Sequence, residues 1–197
     1  SINASPYENN KDLERINFFR EIASENKFNI IYLNTVGGQD EIVFDGSSFL
    51  IDREGNIKHK CNAFDELIYK FSSEDKNFSV NCEYTYDHKY NQYEYLYEAL
   101  KIGTYDYIKK SNFDGVLLGL SGGIDSALTL AIASDIFNKE NIEAVLLPSV
   151  FTSDLSIQLA REQCEILGIK HSLISIEGMN DAISESLKDR FNGLPND

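Results

Sequence analysis

The sequence contains no tryptophan, one methionine (Met179), three prolines and three histidines among 197 residues. It is also poor in positive charge, with 18 Lys and Arg against 32 Asp and Glu, a formal net charge of −14. No block of five or six Lys or Arg occurs, so nothing offers a phosphate backbone or an anionic membrane a basic surface, and nucleic acid is excluded as a partner class. No run of eighteen apolar residues exists to cross a bilayer. The opening stretch, Ser1-Ile2-Asn3-Ala4-Ser5-Pro6, has neither the basic nor the apolar region of a signal peptide. Cys61, Cys82 and Cys164 are odd in number and lack Cys-x-x-Cys spacing, which excludes a disulfide framework or a zinc site and fits reduced thiols in a cytoplasmic protein. His59, His88 and His171 lie far apart without metal-ligand spacing, so structural or solvated roles are expected.

What is present suffices for a globular fold: 42% hydrophobic and 25% charged residues, close to the average of soluble domains. Apolar groups at Leu13, Ile16, Phe19 and Ile22 or Ala23 predict an amphipathic helix ending near Lys27. A short apolar strand follows over 29–34, rich in Ile and Tyr. Gly37-Gly38 punctuates, the stretch to Glu41 reads as a turn, and strands are expected over 41–45 and 48–52, with a hairpin turn at 52–56. Residues 71–91 turn polar and read as a connection between two domains, 1–70 and 92–197. A long helix over 93–110, interrupted or bent near Gly103, opens the second. Strands over 115–120, 144–147 and 172–176 then alternate with helices over 125–137, 154–167 and 180–188, with Gly168 as a helix-ending residue. That alternation predicts an α/β fold with a doubly wound parallel sheet. The Tyr-rich stretch containing Tyr84, Tyr86, Tyr90, Tyr93, Tyr95 and Tyr97 is read as inter-domain packing, since its acidic surroundings disfavour base stacking.

The segment that carries chemistry is Gly119-Leu120-Ser121-Gly122-Gly123-Ile124-Asp125-Ser126, where the first parallel strand hands over to its helix. In an open α/β sheet this position faces the ligand crevice. Ser-Gly-Gly leaves backbone N–H groups open, and the helix adds its positive N-terminal dipole, so the loop suits an anion, above all phosphate. The Lys and Ser/Thr of a Walker A loop are missing, as is G-x-G-x-x-G. A carboxylate, Asp125, stands where a lysine would be, and two anions side by side require a cation between them; Mg²⁺ is the natural choice. Ser121 and Ser126 supply neutral donors. Such a site suits cleavage of ATP between its α- and β-phosphates, with pyrophosphate leaving. A tight turn capped by Asp125 is the plainer alternative for Ser-Gly-Gly alone.

This octet resembles the pyrophosphate-binding loop of the ATP-pyrophosphatase superfamily, and residues 118–128 resemble the NAD synthetase family in particular. Pro148-Ser149, Thr152-Ser153 and the helix bearing Leu159-Ala160 and Leu167-Gly168-Ile169 follow the same pattern. Upstream, Asn3-Ala4-Ser5-Pro6-Tyr7 and residues 36–46 resemble the late part of the nitrilase-type glutaminase domain fused to glutamine-dependent members of that family. The resemblance implies the end of a nitrilase-like αββα sandwich in 1–70, a linker in 71–91, and the start of a synthetase domain of adenine nucleotide α-hydrolase type in 92–197. It implies ATP contacts from Gly119, Leu120, Ser121, Gly122, Gly123, Ile124, Asp125 and Ser126, with Ser149 and Pro148 near the adenosine, and Asp125 near Mg²⁺. It further implies glutamine contacts from Ser5 and Lys11. A Lys at that second place pairs with a carboxylate without the bidentate geometry of Arg.

By the same resemblance, the glutaminase nucleophile and its Glu and Lys partners precede Ser1, and no thiol here stands in the right context to replace it; Cys164 reads as a small core residue. No catalytic residue is therefore expected within the chain, which reads as an internal piece of a larger enzyme and as inactive by itself. The implied reaction of the whole is ATP-dependent amidation of deamido-NAD to NAD with ammonia from glutamine, in a homo-oligomer. Two alternatives stay open: another amidotransferase of the superfamily, of the GMP- or asparagine-forming type, and a catalytically inactive nucleotide-binding module.

Overall fold

The computed structural model describes residues 1–74, 77–79 and 91–191. Cys82, Tyr84, Tyr86, His88 and Tyr90, and with them most of the expected connection, lie outside the described residues. The chain forms two compact units, Ser1–Ser111 and Asn112–Asp197.

In the first unit, strand β1 (Ile2–Asn3) pairs in parallel with β2 (Ile30–Asn34), and helix α1 (Lys11–Asn26) joins them. β5 (Phe49–Ile51) and β6 (Ile57–Lys60) extend this sheet antiparallel, in the order β1-β2-β5-β6. The helical spacing read from the sequence is the spacing that packs: Ile16 and Ala23, with Phe19 and Ile22 beside them, close over Ile30, Tyr32, Phe49 and Ile51. Each large aliphatic or aromatic group so buried contributes about 1.5–3 kcal/mol. Leu13 stays exposed.

The Gly37-Gly38 segment is a strand rather than a turn. β3 (Val36–Gln39) pairs antiparallel with β4 (Ile42–Asp45), and the reversal falls at Asp40, whose φ is +52°. The glycines are there for closeness. Helix α2 (Gln92–Lys110) lies on this hairpin so tightly that a Cβ on Gly38 would stand 2.9 Å from the Gly103 Cα. Asp106 Oδ2 accepts the Gly38 N–H at 2.7 Å, and Lys110 Nζ donates to the Gly38 carbonyl at 2.5 Å. Gly103, expected to interrupt the helix, sits in an unbroken one for the same reason. Asn91 caps α2 reciprocally with Glu94. Tyr95 meets Phe64 edge to face within this unit, while Tyr93 is exposed. A further hairpin, β7 (Ser72–Glu74) with β8 (Asn77–Ser79), lies in the polar stretch. His59 is buried and stacked on Tyr69, and that burial lowers its pKa.

In the second unit, β9 (Val116–Gly119), β10 (Ile142–Leu146) and β11 (Lys170–Leu173) form an all-parallel sheet in the order β11-β10-β9. Helices α3 (Ile124–Ile136) and α4 (Asp154–Leu167) make the crossovers, and α5 (Glu177–Phe191) follows. α3 and α4 touch, the Gln163 amide donating to the Ala127 carbonyl at 2.7 Å. These two crossovers therefore share one layer and do not by themselves build the two-faced, doubly wound arrangement expected. Successive moves in one direction across a parallel sheet keep their helices on one side. α4 ends as anticipated: Gly168 takes φ +67°, and the paired bonds Gly168 N–H to Glu165 and Ile169 N–H to Cys164 complete a Schellman cap.

Because the contact of Gly38 with Gly103 is between backbones, Gly38→Ala should destabilise the first unit by about 1–3 kcal/mol in urea unfolding. An unchanged midpoint would show that α2 does not pack on β3 in solution.

Candidate functional site

The loop after β9 is shaped by the sheet it leaves and the helix it enters. Leu120 N–H still donates to Val145 O at 2.9 Å, so the ladder runs one residue past β9 before the chain turns out at the exposed Ser121. Gly122 then adopts φ +82°, and a Cβ there would lie 2.2 Å from the Ser156 carbonyl oxygen in the first turn of α4. Only glycine fits, on both conformational and steric grounds. Gly123 caps α3 in an extended conformation, and Ile124 and Asp125 begin the helix.

Two hydroxyls hold the loop. Ser121 N–H donates to Ser126 Oγ at 3.2 Å, and Gly123 N–H donates to Ser121 Oγ at 3.2 Å. Ser126 Oγ–H donates to the Gly123 carbonyl at 3.0 Å, so across the 3.0 Å contact between the two hydroxyls Ser121 is the donor. The N–H groups of Gly122, Ile124, Asp125 and Ser126 donate to no protein group among the described residues. Four such donors at the positive end of a thirteen-residue helix are an arrangement that suits an anion. Asp125 is exposed in the same first turn, and its carboxylate makes no hydrogen bond or ion pair with a described residue.

Beside this loop is a cleft of about 340 Å³, within the range of small-molecule sites. Leu120 and Ser121 line it from the end of β9, Leu146 and Pro148 from the end of β10, and Phe151, Ser153 and Ser156 from the entry to α4. Its lining combines apolar side chains with the hydroxyls of Ser121, Thr152, Ser153 and Ser156, a mixture that suits a nucleoside carrying phosphates. Ser149 does not line this cleft. Its N–H donates to Thr152 Oγ1 at 3.0 Å and its Oγ accepts from Phe151 N–H, so it builds the turn that presents Phe151. Sequence reasoning missed Ser156, Phe151 and Leu146 as parts of the site. Ser156 carries no local signal, since only the close approach of Gly122 brings it there.

In the first unit the residues expected to hold glutamine are separated in role. Ser5 is half-buried, its hydroxyl 2.7 Å from Tyr32 Oη. Its N–H donates to Asn34 Oδ1 at 2.8 Å, and its carbonyl accepts from Asn34 Nδ2 at 3.1 Å. Lys11 is the first residue of α1 and pairs with Glu8. The same unit holds two ion pairs with one member of each fully buried, Arg15 with Asp45 and Lys60 with Asp12 at 2.8 Å. Burial opposes the Arg15 charge, but Asp45 and the Tyr32 hydroxyl outweigh it and raise the guanidinium pKa. The inward alternation of β2 could have flagged Tyr32 and Asn34, which share the face of Ile30.

Cys164 is fully buried in α4, and burial pushes its thiol pKa up, as befits a packed residue rather than a nucleophile. Cys61 is half-buried. Among the described residues no group of three His, Cys, Asp or Glu could hold a metal by itself, and no helix is long and apolar enough to cross a membrane.

The NAD synthase family model matches residues 96–196. Over essentially its full length the chain is 37% identical to the glutamine-dependent NAD(+) synthetase of Acinetobacter baylyi and 38% identical to that of Xylella fastidiosa. It spans 36% of the length of each of these relatives. The structure of the glutamine-dependent NAD+ synthetase from Acinetobacter baumannii, in complex with ADP, superposes on 99% of the chain with a TM-score of 0.92 at 36% identity, over 37% of that protein. The enzyme of the same name from Cytophaga hutchinsonii shares the fold at 16% identity, with a TM-score of 0.77 over 96% of this chain and 38% of its own.

Gly122→Ala should destabilise the second unit by about 1–3 kcal/mol or more, through overlap with Ser156 and the positive φ. Asp125→Asn should alter stability by no more than about 0.5 kcal/mol. Chemical denaturation of both variants checks this, and equal losses would contradict it.

Proposed function

The chain belongs to the NAD synthase family, and from that premise we propose that it is part of a glutamine-dependent synthetase that amidates deamido-NAD to NAD. In this reading ATP transfers AMP to the nicotinate carboxylate and releases pyrophosphate; ammonia from glutamine then displaces AMP. The observation that carries it is the start of α3, where four outward N–H groups and the unpartnered Asp125 carboxylate stand together with no lysine.

The N–H groups of Gly122, Ile124, Asp125 and Ser126 hold phosphate oxygens. The Ser121 and Ser126 hydroxyls, now bonded to each other, turn to the same oxygens. Leu120, Leu146 and Phe151 surround the nucleoside, and Gly119, Gly123 and the Pro148-Ser149 turn keep the walls of the site in place. An exposed carboxylate beside a phosphate receptor fits Mg²⁺, a cation held through one or two carboxylates together with substrate phosphates. Asp125 would hold it, and when bound it would neutralise the pyrophosphate that leaves.

Residues 1–70 are the end of a nitrilase-type glutaminase domain, in which Ser5 and Lys11 hold substrate glutamine, and 92–197 are the start of the synthetase domain, 71–91 linking them. The start of the second domain at α2 is supported by a family match that begins at residue 96, although α2 belongs to the first compact unit, Ser1–Ser111, and packs on β3. The complete sheet of the synthetase domain is doubly wound. No thiol of this chain is the glutaminase nucleophile, so the chain by itself hydrolyses no glutamine. The complete enzyme is cytoplasmic and homo-oligomeric.

Calorimetric titration with ATP, with Mg²⁺ and with EDTA, tests the site. Asp125→Asn should weaken Mg-ATP binding on the order of tenfold, about 1.4 kcal/mol, while leaving metal-free ATP binding unchanged or improved. A variant with undiminished dependence on Mg²⁺ would remove Asp125 from the metal site.

A further inference from the structure

Three separate groups of Ser5 are held by one strand. The Asn34 side chain receives the Ser5 N–H and donates to the Ser5 carbonyl, gripping both peptide units of that residue. Tyr32, two positions earlier on the same inward face of β2, meets the Ser5 hydroxyl. Both are buried, Tyr32 at 2% and Asn34 at 5% exposure.

The orientation of the Asn34 amide follows from its neighbours. Asn34 Nδ2 also lies 3.4 Å from Asp45 Oδ1, an acceptor only, so the amide must present its nitrogen to Asp45 and the Ser5 carbonyl, and its oxygen to the Ser5 N–H. Arg15, which has donors only, lies over the Tyr32 ring with its guanidinium carbon 6.0 Å from the ring centre and interacts with the Tyr32 hydroxyl. Tyr32 Oη lies 2.7 Å from Ser5 Oγ, and either hydroxyl can donate across that contact. With Tyr32 as the donor, the Ser5 hydroxyl keeps its own proton to donate outward.

We propose that Tyr32 and Asn34 are positioning residues for glutamine, holding Ser5 so that its hydroxyl is an oriented donor to a substrate oxygen. This rests on the reading of Ser5 as a glutamine contact. Neither residue touches substrate. Asn34 sets where the Ser5 backbone lies and Tyr32 sets which way its hydroxyl proton points. Asp45 links the two, since it faces both the Asn34 amide and the Arg15 guanidinium.

Steady-state kinetics of the complete enzyme, with glutamine and separately with ammonium chloride as nitrogen donor, decide this. Tyr32→Phe keeps the ring that stacks on Phe49 and removes only the hydroxyl. It should raise the glutamine KM by about 3- to 10-fold, the worth of one hydrogen bond, with kcat moving far less. Ser5→Ala should raise it at least as much, and the Ser5→Ala/Tyr32→Phe double variant should be no worse than Ser5→Ala, because the two act as one unit. Asn34→Asp, which keeps the acceptor but loses the donor, should raise the same KM. An unchanged KM in Tyr32→Phe beside a raised one in Ser5→Ala would overturn the clamp. So would additive effects in the double variant, or a proportional loss with ammonium chloride, either of which would mark a general structural role. An unchanged KM in Ser5→Ala would overturn the glutamine reading of Ser5 and the clamp with it.

Discussion

The approach of Gly122 to the Ser156 carbonyl is the contact on which the cleft beside residues 119–126 depends. It brings the loop after β9 and the first turn of α4 together at backbone distance, where no side chain fits. Everything else in the cleft follows from that proximity. The hydroxyls of Ser153 and Ser156 face the same space as Ser121 because the α4 start is pulled against the loop. Gly122 must bend through a positive φ to allow it, which turns the following N–H groups out at the start of α3. A glycine that a motif reading assigns to phosphate access thus has a second duty in packing, and the two coincide.

The same economy governs charge. The chain carries a net charge of −14, and no lysine or arginine is among the residues lining the cleft beside the loop. In the proposed reading, attraction of ATP is left to oriented peptide dipoles at a helix start, whose field falls off within a turn, and to a cation held by Asp125. In the first unit, by contrast, full charges are buried against partners: Lys60 with Asp12, Arg15 with Asp45, and Asp52 among hydrogen bonds from Asn56 and Glu54. Burying an ion without its partner costs several kcal/mol, so such pairs are strongly geometric constraints. The Lys60 and Arg15 pairs tie the first turns of α1 to β6 and to β4.

How far this was legible in advance depended on whether a feature is local. The α1 face, the β9 and β10 strands and the Gly168 cap were readable because period, β-branched content and an αL glycine are properties of short segments. The octet 119–126 was readable because strand, glycines, hydroxyls and carboxylate occur in one run. Gly37-Gly38 was misread as punctuation, since nothing nearby reveals that Gly103, some sixty-five residues on, needs room there. Gly103 was misread as a break for the reciprocal reason. Ser156, Phe151, Tyr32 and Asn34 were passed over because their significance arises from long-range contacts, although the inward alternation of β2 held a usable hint for the last two. The single layer of α3 and α4 was also hidden, as strand order is not a local property.

The central claim is that the cleft beside residues 119–126 holds ATP for cleavage between its α- and β-phosphates. Phosphorus NMR of the complete enzyme turning over ATP with deamido-NAD and an ammonia source reads this directly. The account predicts AMP and pyrophosphate in equal amounts, with NAD formed in step. ADP and inorganic phosphate as the products would contradict it.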